Sequence, residues 1–193
     1  MGKLVLFMHV SLDGYASDSN GGLDWIPYNE ELEAYAEEVV AEVGSPVYGR
    51  TTYRMMEGYW PSVLNEPDAS KHDLEHAQWL EGVKKIVISS TMDKTEWNNT
   101  LLIKDNIAEE IKLLKAQSDK NLVIFGSPGA AKTLLTLGLI DEFLLTICPV
   151  VLGSGKTIFE DGGEKIKLKL LSSRTFKSGV IATRYKLEQS SEN

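Results

Sequence analysis

The run Gly49-Arg50-Thr51-Thr52-Tyr53 combines a small residue, a fixed cation and two hydroxyls. If it follows a strand and opens a helix, the free first-turn amides and the guanidinium make an anion site suited to phosphate. Gly126-Ser127-Pro128-Gly129-Ala130 is a second small-residue loop before a helix. It can let a diphosphate approach the backbone closely. Ser89-Ser90 marks a third strand-end junction. Helix capping alone accounts for either of the first two loops taken singly. Two of them on neighbouring strand ends suit a dinucleotide better than a mononucleotide. Any such site must be local, because 20 Lys and Arg stand against 28 Asp and Glu, a formal charge of −8. A broad basic footprint of the kind nucleic acids require is missing.

Other patterns weigh less. Gly126 to Thr133 nearly spells a phosphate-binding P-loop, but Ala131 replaces its second glycine and Pro128 deletes an amide donor. Gly153-Ser154-Gly155-Lys156-Thr157 lacks the required first glycine, and the following 159–163 reads as a turn. His72-Asp73-Leu74-Glu75-His76 has zinc-peptidase spacing, yet its strongly polar surroundings predict two histidines on an exposed helix and no metal. Glu30-Glu31 precedes a helix, where carboxylates complement the helix dipole and could also serve as an acid or an anchor.

The elements that must position these residues follow from periodicity. Lys3 to Val10 reads as a buried strand. Leu32, Tyr35, Ala36, Val39, Val40 and Val43 form one helical face, with Glu33, Glu37, Glu38 and Glu42 outside. Strands at 46–49, 85–89, 101–103 and 122–125 alternate with helices from Thr51, at 107–116 and at 128–137. Strands alone follow: Phe143 to Leu152, Lys167 to Phe176 and Val180 to Leu187. The pattern predicts one domain over residues 1–188 with a frayed tail at 189–193. It predicts a mostly parallel sheet with helices on both faces and antiparallel strands at one edge. The three junctions would share the carboxyl edge, where open α/β sheets bind cofactors. The single cysteine, Cys148, sits in an apolar run as a buried thiol. No run approaches the ~18 apolar residues of a membrane span and no secretory signal is visible, so a cytoplasmic protein is expected.

Six segments then occur in a telling order. They are Ser11-Leu12-Asp13-Gly14, Gly22-Leu23-Asp24-Trp25, Tyr48 to Tyr53, Val87-Ile88-Ser89-Ser90-Thr91, Gly138-Leu139-Ile140-Asp141-Glu142 and Pro149 to Lys156. Together they resemble the dihydrofolate-reductase-like proteins related to the C-terminal reductase domain of bifunctional riboflavin-biosynthesis deaminase/reductases, over about Lys3 to Leu187.

The resemblance implies a three-layer dihydrofolate-reductase-like fold and NADPH-dependent reduction of a heteroaromatic or ribosylamino-pyrimidine small molecule. The family's namesake substrate is 5-amino-6-(5-phosphoribosylamino)uracil. Dihydrofolate or another pterin is the enzyme alternative, and a non-catalytic NADP-binding sensor or assembly protein is the alternative of another class. The resemblance assigns the cofactor's phosphates and adenosine end to Gly49, Arg50, Thr51 and Thr52, to Ser89, Ser90 and Thr91, and to Gly126, Ser127, Gly129 and Ala130. It sets the loops of Asp13 and Trp25 beside nicotinamide and substrate, and makes Glu30 the candidate proton donor by its spacing from Trp25. It also suggests a homodimer, for which Phe143 to Leu152 could supply an apolar face.

Three departures accompany it. Leu64-Asn65-Glu66-Pro67-Asp68 is acidic where riboflavin reductases place basic residues for a ribose-phosphate. Ser127 stands where dihydrofolate reductases have the second glycine of a cis pair, which leaves that bond open at a cost of ~3 kcal/mol. No deaminase-like zinc motif precedes the domain.

Overall fold

Leu4, Leu6, Met8 and Val10 alternate with Val5, Phe7 and His9, and both sets are covered by helices. Successive side chains of a strand point to opposite faces, so a strand this apolar belongs in the middle of a two-sided sheet. The computed structural model, which describes residues 1–159 and 165–188, places it there. The element order is β1 (Leu4–Ser11), β2 (Tyr15–Ser17), α1 (Glu30–Ala41), β3 (Val43–Gly49), α2 (Arg50–Val63), α3 (Lys71–Gly82), β4 (Lys85–Ile88) and β5 (Thr100–Ile103). It continues with α4 (Ile107–Gln117), β6 (Asn121–Phe125), α5 (Pro128–Thr136), β7 (Glu142–Cys148), β8 (Lys156–Thr157), β9 (Leu168–Thr175) and β10 (Ile181–Leu187).

The main sheet runs β5-β4-β3-β6-β1-β7-β10-β9. Neighbours from β5 to β7 are parallel, and β10 pairs antiparallel with both β7 and β9. Even-numbered residues of β1 join a core with Ile111 of α4 and Leu134 of α5. Val5 and Phe7 meet Val39 of α1 and Trp79 of α3, while Tyr48, Tyr53 and Leu80 bind α2 and α3 to the same face. The result is the expected three-layer dihydrofolate-reductase-like fold, and Cys148 is buried as expected. No described helix is long and apolar enough to cross a membrane.

Several boundaries differ from expectation. Val43 opens β3 instead of closing α1, because α1 ends at Ala41 and Glu42 caps it. β7 stops at Cys148, since Pro149 has no amide for the ladder. It lies between β1 and β10 with Phe143, Leu144 and Cys148 buried, so this part of the 143–152 stretch fills the chain's own core, while Val151 beyond it is exposed. A small sheet of β2 and β8 forms where loops were expected. The helix at 71–82 is only partly exposed, burying Ala77 and Leu80. The expected tail, 189–193, and most of the turn at 159–163 lie outside the described residues.

At the amino end of the strands, the Asp141-Glu142 pair has a structural task. Asp141 accepts from the Leu4 amide at 2.7 Å, and Glu142, almost fully buried, meets Lys3 and Arg184.

Candidate functional site

The carboxyl ends of β1, β3, β4 and β6 open into a cleft of about 1440 Å³. Helices α1, α2 and α3 wall one end of it, and the strand-end loops form the other.

At the loop end, α2 and α5 begin without a side-chain cap, so first-turn amides remain for a ligand. The Gly49 amide donates to Ser127 Oγ at 2.7 Å. A Cβ on Gly49 would lie 2.7 Å from that same oxygen and 3.4 Å from Ala130 Cβ, so the close approach of the two loops requires glycine there. Gly126 and Ser127 both have positive φ, 56° and 62°, and among the described residues no peptide bond is cis. Arg50 Nη1 donates to Thr91 Oγ1 at 2.8 Å, and Ser89 Oγ accepts from the Met92 amide at 3.2 Å. Gly49, Arg50, Thr51, Thr52, Ser89, Ser90, Thr91, Gly126, Ser127, Gly129 and Ala130 all line this one cleft. The structure brings every one of these sequence-derived positions together.

The other three do not reach it. Asp13 is exposed; it accepts from Ser11 Oγ at 2.7 Å and from the Leu152 and Gly153 amides at 3.1 and 2.8 Å. Those bonds, led by Ser11, hold its carboxyl down at about 2, and they tie the loop after β1 to the turn at 152–153. The Trp25 indole donates to Gly22 O and packs against the cluster of Ile26, Leu32 and Cys148. Glu30 is exposed in the first turn of α1, beside the Asn29 cap. The α1 carboxylates that face the cleft are Glu33 and Glu37, which share a helical face with Ala36 and Val40. Amphipathic patterning had placed both glutamates outside, because a cleft wall and a solvent face have the same polarity.

Three further groups escaped the sequence reading. His9 lines the cleft floor; its Nε2 lies 3.2 Å from Tyr28 Oη, and its Nδ1 meets the buried Thr146 hydroxyl. Burial pushes the imidazole down to about 4, so it is neutral at pH 7. With the phenol donating to Nε2, the tautomer consistent with this network carries its proton on Nδ1. Burial, with smaller contributions from Cys148 and Glu33, raises the Tyr28 phenol. A lone histidine continuing the Val5-Phe7 face of a buried strand was the available signal.

His72 and His76 also line the cleft. His76 packs between Trp60 and Trp79, with ring centroids 4.4 and 5.2 Å away, and burial lowers it to about 4. Among the described residues no three metal-ligating side chains converge.

A family model described as "RibD C-terminal domain" matches residues 2–182. The uncharacterized protein YyaP of Bacillus subtilis (strain 168) is 34% identical over 183 residues, covering 95% of this chain and 94% of that protein. A crystal structure of a Shewanella sp. PV-4 protein superposes with a TM-score of 0.76 at 23% identity, over 97% of this chain and 99% of its own. Dihydrofolate reductase from Enterococcus faecalis, complexed with NADP(H), gives 0.62 at 14% identity, over 97% and 98%.

Proposed function

The chain belongs to the RibD C-terminal domain family, and from that premise we propose that it is an NADPH-dependent reductase of a planar heteroaromatic substrate. One observation carries the reading: two uncapped helix N-termini, the 89–91 hydroxyls and Arg50 meet in a single cleft whose far end is walled by aromatic rings. The loop end fits a dinucleotide. Gly49 and Gly126 to Ala130 let its diphosphate reach backbone amides, and Arg50 offers a planar fork to a phosphate. The nucleotide-bound enterococcal neighbour shares the fold.

NADPH supplies hydride when bound. The chain's own residues position the ring, exclude water and hold a proton. Glu33, in the cleft and close to Tyr28, takes the acid or anchoring role that spacing gave to Glu30. Tyr28, His9 and Thr146 form a hydrogen-bonded chain that can orient a polar substrate atom at the cleft floor.

The reading includes a homodimer through β9. That edge strand leaves Leu170 and Leu171 50% and 44% exposed beside an unpaired ladder. Light scattering should return about twice the 21.4 kDa chain mass, and the single-chain mass would remove the dimer.

The deciding experiment for the enzyme is NADPH consumption with ribosylamino-pyrimidine and dihydropterin substrates. Oxidation with either supports the reductase. Tight NADPH binding with no oxidation would turn the reading toward a sensor. Absence of NADPH binding would end both.

A further inference from the structure

The helix end of the cleft has a charge pattern that the loop end lacks. Among its lining residues, α1 and α3 contribute Glu33, Glu37, Asp73 and Glu75 and no Lys or Arg. The Glu33 carboxylate has no hydrogen-bond or ion-pair partner among the described residues, whereas His72 Nδ1 lies 2.7 Å from Glu37. The cleft's two lining cations sit elsewhere. Arg50 is bonded to Thr91, and Lys156 Nζ lies against Gly21 on the β2–β8 side. His76 adds no positive charge at neutral pH, because burial keeps it unprotonated.

The same cleft is lined by a continuous series of rings. Trp60, His76, Trp79 and Phe125 follow one another at centroid spacings of 4.4, 5.2 and 6.2 Å. Such faces attract flat rings, and cationic rings more than neutral ones. Beyond α2, where the riboflavin reductases place basic residues, Glu66 and Asp68 are exposed acids.

The geometry points to a helix end that selects planar ring substrates carrying neutral or positive charge and disfavours phosphorylated or otherwise anionic ones. This rests on the reductase reading above and specifies its substrate class. A phosphate-bearing ring would bring its charge to a wall of like sign on a chain of formal charge −8. The helix end therefore departs from the phosphoribosylated substrate that gives the riboflavin reductases their name.

Three probes with one tricyclic ring test this: 9-aminoacridine, acridine and acridine-9-carboxylate, which are cationic, neutral and anionic at mildly alkaline pH. Calorimetric titration of the full chain should rank them in that order, with roughly tenfold or more between the first and the last. Glu33→Gln with Glu37→Gln should compress that span while ring binding persists. Trp60→Leu should weaken all three probes together. Equal or tighter binding of the carboxylate overturns the inference. So does cation binding indifferent to Trp60→Leu, which would mark attraction to the acidic surface at large. NADPH binding is titrated on the same samples. Loss of the charge ranking with NADPH still bound counts against the substrate class alone, whereas probes that bind to a chain unable to take NADPH count against the reductase.

Discussion

At the loop end of the cleft the lining is backbone amides and short hydroxyls; at the helix end it is aromatic rings, and carboxylates from α1 and α3. The loop end is built from contiguous runs, 49–52, 89–91 and 126–130, delivered together because β4, β3 and β6 are neighbours in a parallel sheet. The helix end needs Glu33 from α1, Trp60 from α2 and His76 and Trp79 from α3, each held by helix packing. A site made of main chain tolerates little variation in backbone, whereas a site made of side chains can change specificity with the fold intact. The runs that carry the resemblance, 49–52 and 89–91, meet at the loop end, whereas Glu33, Glu37, Asp73 and Glu75 line the helix end.

Acid should separate the two ends most strongly. Both depressed histidines, His9 and His76, belong to the helix end and the cleft floor, and the unfolded chain would protonate each near 6.5. Their folded values are lower, so the stability gained by keeping them neutral is complete above about 6.5 and is lost as pH falls toward about 4. For His9 the loss is roughly 3 kcal/mol. Urea midpoints should therefore drop steadily across that interval. A flat profile would mean that neither histidine is held neutral by burial.

Turnover should respond next. Glu33→Gln is expected to lower it by about 10²-fold or more and to leave NADPH affinity unchanged. Glu30→Gln, on the exposed first turn, should have little effect. The opposite pattern would return the proton role to the position that spacing from Trp25 suggested.

At the loop end, Arg50→Ala should weaken NADPH roughly tenfold to a hundredfold, the worth of a charge-assisted hydrogen bond. NADH should suffer less if the guanidinium reads the 2′-phosphate, and equally if it holds the shared diphosphate. Fluorescence titration of both cofactors distinguishes these, and no change in either would dissolve the loop end as a cofactor site. Gly49→Ala should cost about 1–3 kcal/mol in thermal unfolding, because its Cβ drives Ser127 Oγ off the Gly49 amide. An unchanged melting temperature would show that the loops have slack.

The same contrast explains what could be read in advance. Strand alternation in β1, the β-α rhythm to Asp141 and the closing strands gave the layers and the antiparallel edge, since period and order are local properties. Gly49 to Thr52 and Gly126 to Ala130 were legible as one cleft lining because loops of main chain are written in consecutive residues. Glu33 was not, because α1 shows one polarity to solvent and to a polar cleft alike. Asp13 misled in a different way: its motif marks a loop staple, with the carboxylate spent on Ser11 and the 152–153 amides. His76 reads as a surface residue until Trp60 and Trp79, 16 and 3 positions away in sequence, close around it.

The central place of β1 has a consequence for how the chain is made. Its parallel partners are β6, first met at Leu4 with Leu122, and β7, met from Val5 with Glu142. During synthesis at about 5–20 residues per second, this long apolar strand leaves the ribosome well before either neighbour exists. The wait is on the order of ten seconds, with both edges open and the face that α4 and α5 later cover still bare. Nascent chains halted before residue 121 would thus present Leu4–Ser11 as an unpaired strand template, the kind of segment that chaperones retain and that aggregates when they do not.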